Sequence, residues 1–113
     1  MLIQSYRTPT QTQVAYVAHW DDITIADTAE PLQAAQYTDK SVQVFGTFGV
    51  GGAVSFQGSN DGVNWSVLTD PQGNPLVFTS SKIEMVSEAT MLVRPVVTGD
   101  GSTSLTVLML AKE

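Results

Sequence analysis

The chain has 113 residues, the size of one ordinary domain. Hydrophobic residues make up 42% but charged residues only 14%, against ~25% in an average soluble protein, which excludes a disordered acidic tail or a solvated single helix. Net charge is −6 and the five bases (Arg7, Lys40, Lys82, Arg94, Lys112) are scattered, so no basic stripe exists to release counterions, and neither nucleic acid nor an anionic membrane is an expected partner.

There are no cysteines, which rules out disulfide stapling and thiolate metal sites. The opening Met-Leu-Ile-Gln-Ser-Tyr-Arg lacks a basic region followed by a long apolar run, so a secretory signal is not expected. The longest apolar stretch, Leu105 to Ala111 around Thr106, falls far short of the ~20 residues of a membrane span. The expectation is a protein made and kept in a cytoplasm, or released from one by lysis.

In chain order, residues 1–13 are mostly polar with no sustained period and read as an extended arm. From Val14 onward short apolar segments alternate with turn residues, and period 2 dominates. Val14, Tyr16, Ala18 and Trp20 alternate with Gln13, Ala15, Val17 and His19, and Ile23 and Ile25 alternate with Asp22 and Thr24. Between Ala26 and Tyr37 a single helical turn opened by Pro31 is the most that the sequence offers. Val42, Val44, Gly46 and Phe48 share one face, as do Val54, Phe56 and Gly58. Trp65, Val67 and Thr69, Leu76 to Phe78, Ile83 and Met85, Leu92 to Val97, and Leu105 to Leu110 follow. Asn60-Asp61-Gly62 signals a hairpin, Asp70 to Pro75 a second turn and Gly99-Asp100-Gly101 a third. These features predict an all-β fold, an antiparallel β-sandwich of jelly-roll or Ig-like type with about eight strands. The arm spans 1–13 and a single sandwich domain spans 14–113. Trp65, Phe56, Val44, Val54, Val67, Val93, Val107 and Ile83 are the expected core.

The sequence offers little chemistry. The one histidine, His19, sits beside Trp20, Asp21 and Asp22 and reads as a strand-end residue facing solvent. No serine stands in the Gly-x-Ser-x-Gly context that an esterase-type triad would use. Asp61, Asp70 and Asp100 fall in turns, where aspartate caps backbone amides. With Asp21 and Asp22 they have calcium-binding chemistry, but the DxDxDG spacing is missing. No catalytic residue, cofactor or metal ligand is assigned, and an enzyme is not expected. Trp20 and Trp65 have the surface to stack on a sugar. Packing across the hairpin on Val54 or Phe56 accounts for Trp65, while Trp20 stays open between core and ligand.

Two features point outward. Phe45 beside Val44, Val96 beside Val97, and Leu108-Met109-Leu110 make strands apolar on both parities, which must be covered on both faces. In a domain this small, another subunit is one available cover. The arm, through Leu2, Ile3 and Tyr6, is the second candidate contact.

The stretch from Val54 to Leu68, VSFQGSNDGVNWSVL, resembles one hairpin of the discoidin-like carbohydrate- and lipid-binding modules. The hairpin markers Asn60, Asp61, Gly62 and Trp65, followed in order by Leu92-Val93-Arg94-Pro95-Val96-Val97 and by Gly99-Asp100-Gly101-Ser102-Thr103-Ser104-Leu105-Thr106-Val107, more closely resemble structural proteins of tailed bacteriophages. That likeness covers about residues 42–110 and carries no functional site. It implies a head decoration (cement) protein: a homotrimer on the virion head surface, assembled in the host cytoplasm, bridging major capsid protein subunits. A carbohydrate-binding module and a neck or tail structural protein are the alternatives.

Overall fold

The computed structural model describes residues 3–7, 15–35 and 37–112. They form ten strands and no helix: β1 (Ile3–Arg7), β2 (Ala15–Ile23), β3 (Leu32–Gln33), β4 (Asp39–Thr47), β5 (Ala53–Ser59), β6 (Ser66–Val67), β7 (Val77–Phe78), β8 (Lys82–Met85), β9 (Leu92–Thr98) and β10 (Ser104–Lys112). One sheet has the order β1-β2-β10-β4-β8, and the other β3-β9-β5-β6 with β7 also on β5. Every pairing is antiparallel. The pairs β2·β10, β3·β9, β4·β8 and β5·β6 nest inside one another and alternate between the sheets, the wiring of a rolled-up hairpin. That order is a jelly roll rather than an Ig-like sandwich.

The period-2 pattern meets the structure strand by strand. In β4 Lys40, Val42 and Val44 point inward, and in β10 Leu105, Val107, Met109 and Ala111 do so. Val54 and Phe56 on β5 and Val93 and Val97 on β9 close the core from the other sheet. Five of the eight expected core residues are buried: Phe56, Val44, Val54, Val93 and Val107. The other three are corrected. Val67 and Ile83 are exposed, because their registers, opposite Gln57 and Gln43, set them on the outer faces. Trp65 is only half-buried, with the Arg94 guanidinium 4.0 Å from its ring centroid and no place beside Val54 or Phe56.

Residues 20–25 depart from simple alternation for a physical reason. Trp20 pairs with Val107 and Ile23 with Leu105, so two residues, Asp21 and Asp22, oppose Thr106 alone. This is a β-bulge, with Asp22 at φ 52° and its N–H donating to Thr106 Oγ1 at 3.2 Å. The extra residue shifts the parity, so Trp20 and Ile23, three apart, both enter the core. The strand stops at Ile23 and leaves Ile25 exposed in the following turn. No helical turn opens at Pro31; Leu32–Gln33 instead forms β3 on β9.

Pro95 sits inside a strand flanked on both sides, where a missing N–H usually breaks a ladder. Its partner Phe56 turns its own N–H and C=O the other way, to Leu76 and Leu68. The Pro95 nitrogen therefore faces the β3 side, beyond the two residues that β3 pairs. Proline costs nothing there.

Of the segment expected as an arm, residues 3–7 pair along β2 as an edge strand of the first sheet, Ile3 opposite Trp20 and Tyr6 opposite Val17. Leu2 and residues 8–13 lie outside the described residues.

Candidate interaction surface

Each turn aspartate is taken up by donors of its own loop, and Asp100 by a neighbouring loop as well. The Asp61 carboxylate accepts from the N–H groups of Val63 and Asn64, both at 2.8 Å, from the Asn64 side-chain amide and from the Ser59 hydroxyl. These donors, the Asn64 N–H foremost, hold it far below the usual carboxylate range. Ser59 Oγ in turn accepts from the N–H groups of Asp61 and Gly62. The loop from Ser59 to Trp65 is therefore a wide, self-capped loop between the paired Gly58 and Ser66, not the tight two-residue hairpin that Asp61-Gly62 suggests. Asn60 Oδ1 accepts from the Met91 N–H, tying this loop to the start of β9.

Asp70 takes the N–H groups of Asn74 and Gln72 and the Asn74 side-chain amide, and the Asn74 N–H is the main cause of its lowered pKa. Asp100 takes the Ser102 hydroxyl and N–H, which lower its pKa in that order of weight. It also takes the Val50 N–H, while Thr103 Oγ1 donates to the Phe48 carbonyl, so the β4–β5 and β9–β10 loops are bound together. A Cβ at Gly99, where φ is 149°, would strike Thr103. Asp27 is lowered by the Thr24 N–H and then its hydroxyl. For Glu88, burial pushes the pKa upward, but the Thr69 hydroxyl and N–H outweigh it and the net shift is down.

These carboxylates share one sign. A group whose folded pKa lies below its unfolded value contributes stability above the unfolded value and loses it as pH falls toward the folded value. The urea midpoint should therefore be flat near neutrality and fall once pH drops below the ordinary values of 3.8 for Asp and 4.5 for Glu. Asp61→Asn should make that fall shallower. A midpoint unchanged from about pH 6 to pH 2.5 would contradict the capping account.

His19 is not at a strand end facing solvent: it lies within β2, between Gln4 and Leu108, half-buried, with Nδ1 3.5 Å from Asp21 Oδ1. Trp20 is fully buried, edge-on to Phe56 at 6.2 Å between centroids, and its Nε1–H donates to the Glu30 carbonyl at 2.9 Å. It offers no face to a sugar. Trp65 lies on the outer face of the second sheet, where the Arg94 guanidinium over its ring also donates to Gln57 Oε1. Among the described residues no three of His, Asp or Glu gather where they would hold a metal ion.

The structure gathers Phe45, Leu108 and Leu110 of the two-faced strands on one sheet face, while Val96 lies on β9 of the other sheet. On the outer side of the first sheet, one row runs Val17–Leu110–Ser41–Met85, the next His19–Leu108–Gln43–Ile83, and Phe45 stands beside Thr106. Phe45 and Leu110 are each 40% exposed, Met85 54% and Ile83 58%. Between Leu110 and Met85 lies an apolar groove of about 340 Å³, lined also by Asp39, Lys40, Ser41 and Lys112. Apolar residues left exposed together on one sheet face, here with Ser41 and Gln43 between them, mark a candidate contact surface.

Lys40 is one of the five scattered bases, yet it is 2% exposed, with Nζ donating to the Tyr37 carbonyl at 3.0 Å. Burial lowers its pKa, against the pull of Asp39 and Glu88. The signal was present: Lys40 shares the parity of Val42 and Val44.

No protein-family model and no curated protein matches this chain.

Proposed function

We propose that the chain is a non-enzymatic virion structural protein, a capsid decoration (cement) protein that assembles as a homotrimer and bridges major capsid protein subunits on a phage head. The observation that carries this reading is the exposed apolar outer face of the β1-β2-β10-β4-β8 sheet, with Phe45, Leu110, Ile83 and Met85 at its surface. Leaving that face in water is unfavourable by ~25 cal/mol per Å² of apolar surface, so a protein built this way gains stability by covering it. The jelly-roll order supports the reading as fold-level analogy only, since such folds serve viral capsids and lectins alike. The self-capped loops at both ends of the sandwich suit a rigid part whose work is done by area rather than by chemistry.

A sugar-binding module loses its main residues: Trp20 is interior and the Asp61 carboxylate is spent on its own loop. Co-sedimentation with expanded capsids of the cognate phage tests the proposal. The wild-type chain should pellet with capsids and stay in the supernatant without them, and Phe45→Glu should keep its fold and lose at least about tenfold in capsid affinity. Failure of the wild-type chain to pellet, or binding by Phe45→Glu equal to wild type, would overturn it. Binding to a glycan array that Trp65→Ala abolishes would replace it with the sugar-binding reading.

A further inference from the structure

Strand β8 is the outermost strand of the first sheet, and beyond it no strand pairs among the described residues. Its sequence, Lys82-Ile83-Glu84-Met85, alternates charged and apolar residues. The direction of its free hydrogen-bonding groups follows from its inner side. The Val86 N–H donates to the Lys40 carbonyl, and Glu84 and Lys82 continue the same ladder opposite Val42 and Val44. In an antiparallel ladder the groups of alternate residues point to opposite sides, so the N–H and C=O of Ile83 and Met85 point away from β4, on the side where the following Ser87 N–H is taken by the Thr69 carbonyl.

We propose that β8 pairs with β8 of a second copy of this chain, antiparallel, across a two-fold axis through Ile83. In that register Ile83 faces Ile83 of the copy as a hydrogen-bonded pair, and Lys82 faces Glu84 of the copy twice over. A lone lysine on an edge strand blocks pairing, but a lysine and a glutamate at equal distances on either side of the axis attract their mates, since opposite side chains on one face lie ~5 Å apart. Within one copy the Lys82 ammonium stands 3.9 Å from the Glu84 carboxylate, a long and solvated contact, and the copy's Lys82 would give Glu84 a partner across the axis. The exposed Ile83 and Met85 side chains would then join across the axis into one continuous apolar face. A two-fold contact is distinct from the three-fold contacts of the proposed trimer. It needs only another copy of this chain, not a capsid.

The chain lacks cysteine, so Ile83→Cys gives a single reporter on the axis. Hydrogen-bonded antiparallel partners have Cα atoms ~5.5 Å apart, within the range that a disulfide spans. Under a mild oxidant such as copper phenanthroline, Ile83→Cys should form a covalent dimer on a non-reducing gel, while Val50→Cys on an exposed loop should not at the same concentration. In the Ile83→Cys background, Lys82→Glu or Glu84→Lys alone should slow cross-linking by about tenfold, because each sets two pairs of like charges face to face. The double exchange should restore the rate to within about twofold, because it rebuilds both ion pairs with the signs reversed. Cross-linking of Ile83→Cys no faster than Val50→Cys, or a double exchange no better than the single ones, would overturn the pairing. All variants are to be compared at equal circular dichroism, so that an unfolded variant is not read as an unpaired one.

Discussion

Replacing Trp20 with alanine is expected to cost about 3–5 kcal/mol of folding stability, the range for emptying a buried aromatic site. Two contacts end with it, the edge contact to Phe56 from the facing sheet and the hydrogen bond from Nε1 to the Glu30 carbonyl that holds the β2–β3 connection, and a fully buried place in the core is emptied. For a domain of this size such a loss lowers the melting temperature by roughly 10–25 °C. Trp20→Phe keeps most of the buried area and gives up the indole N–H, so it should cost about 1–2 kcal/mol. Urea denaturation of the three proteins at equal pH reads both numbers. A loss below about 1 kcal/mol for Trp20→Ala would put the indole outside the core.

Lys40 should divide its own substitutions. Lys40→Ala removes the long side chain from an interior position, leaves a cavity and ends the hydrogen bond to the Tyr37 carbonyl, and is expected to cost about 2–4 kcal/mol. Lys40→Met fills nearly the same volume without burying an amine, and losses under about 1.5 kcal/mol are expected, because replacing a buried charge by an apolar isostere is often close to neutral. The contrast between the two, measured by urea unfolding, is the prediction. Equal losses would mean that the charge, through Asp39 and Glu88, holds the site rather than the packed stem of the lysine.

Much of this architecture was legible in the sequence because it is carried by parity. The inward sets of β4, β5, β9 and β10 follow from alternation, and the turn aspartates follow from residue type. Register is not carried by the local pattern. Trp65 and Val67 share a face, but which face depends on where β6 joins β5, and a seven-residue loop from Ser59 to Trp65 sets a different pairing from a two-residue turn at Asp61-Gly62. Ile83 looked like a core residue because its pattern is apolar at period 2. Only the pairing with Gln43 shows that it faces outward. The bulge at Asp21 and Asp22 likewise depends on a partner strand more than eighty residues away, and local pattern does not report it. The nested long-range pairs of the jelly roll are invisible for the same reason. The two-faced strands, by contrast, were visible as consecutive apolar residues, and the structure gathers Phe45, Leu108 and Leu110 on one outer face.

Whether that face is covered in solution is the claim on which the functional reading rests, and the mass of the purified chain by light scattering measures it most directly. The account predicts three times the 12.1 kDa of one chain, or a multiple of three where β8 also pairs. A mass of 12.1 kDa at every concentration would contradict it, since Phe45, Leu110, Ile83 and Met85 would then lie open to water. A mass of twice 12.1 kDa would assign the contact to β8 alone and contradict the trimer.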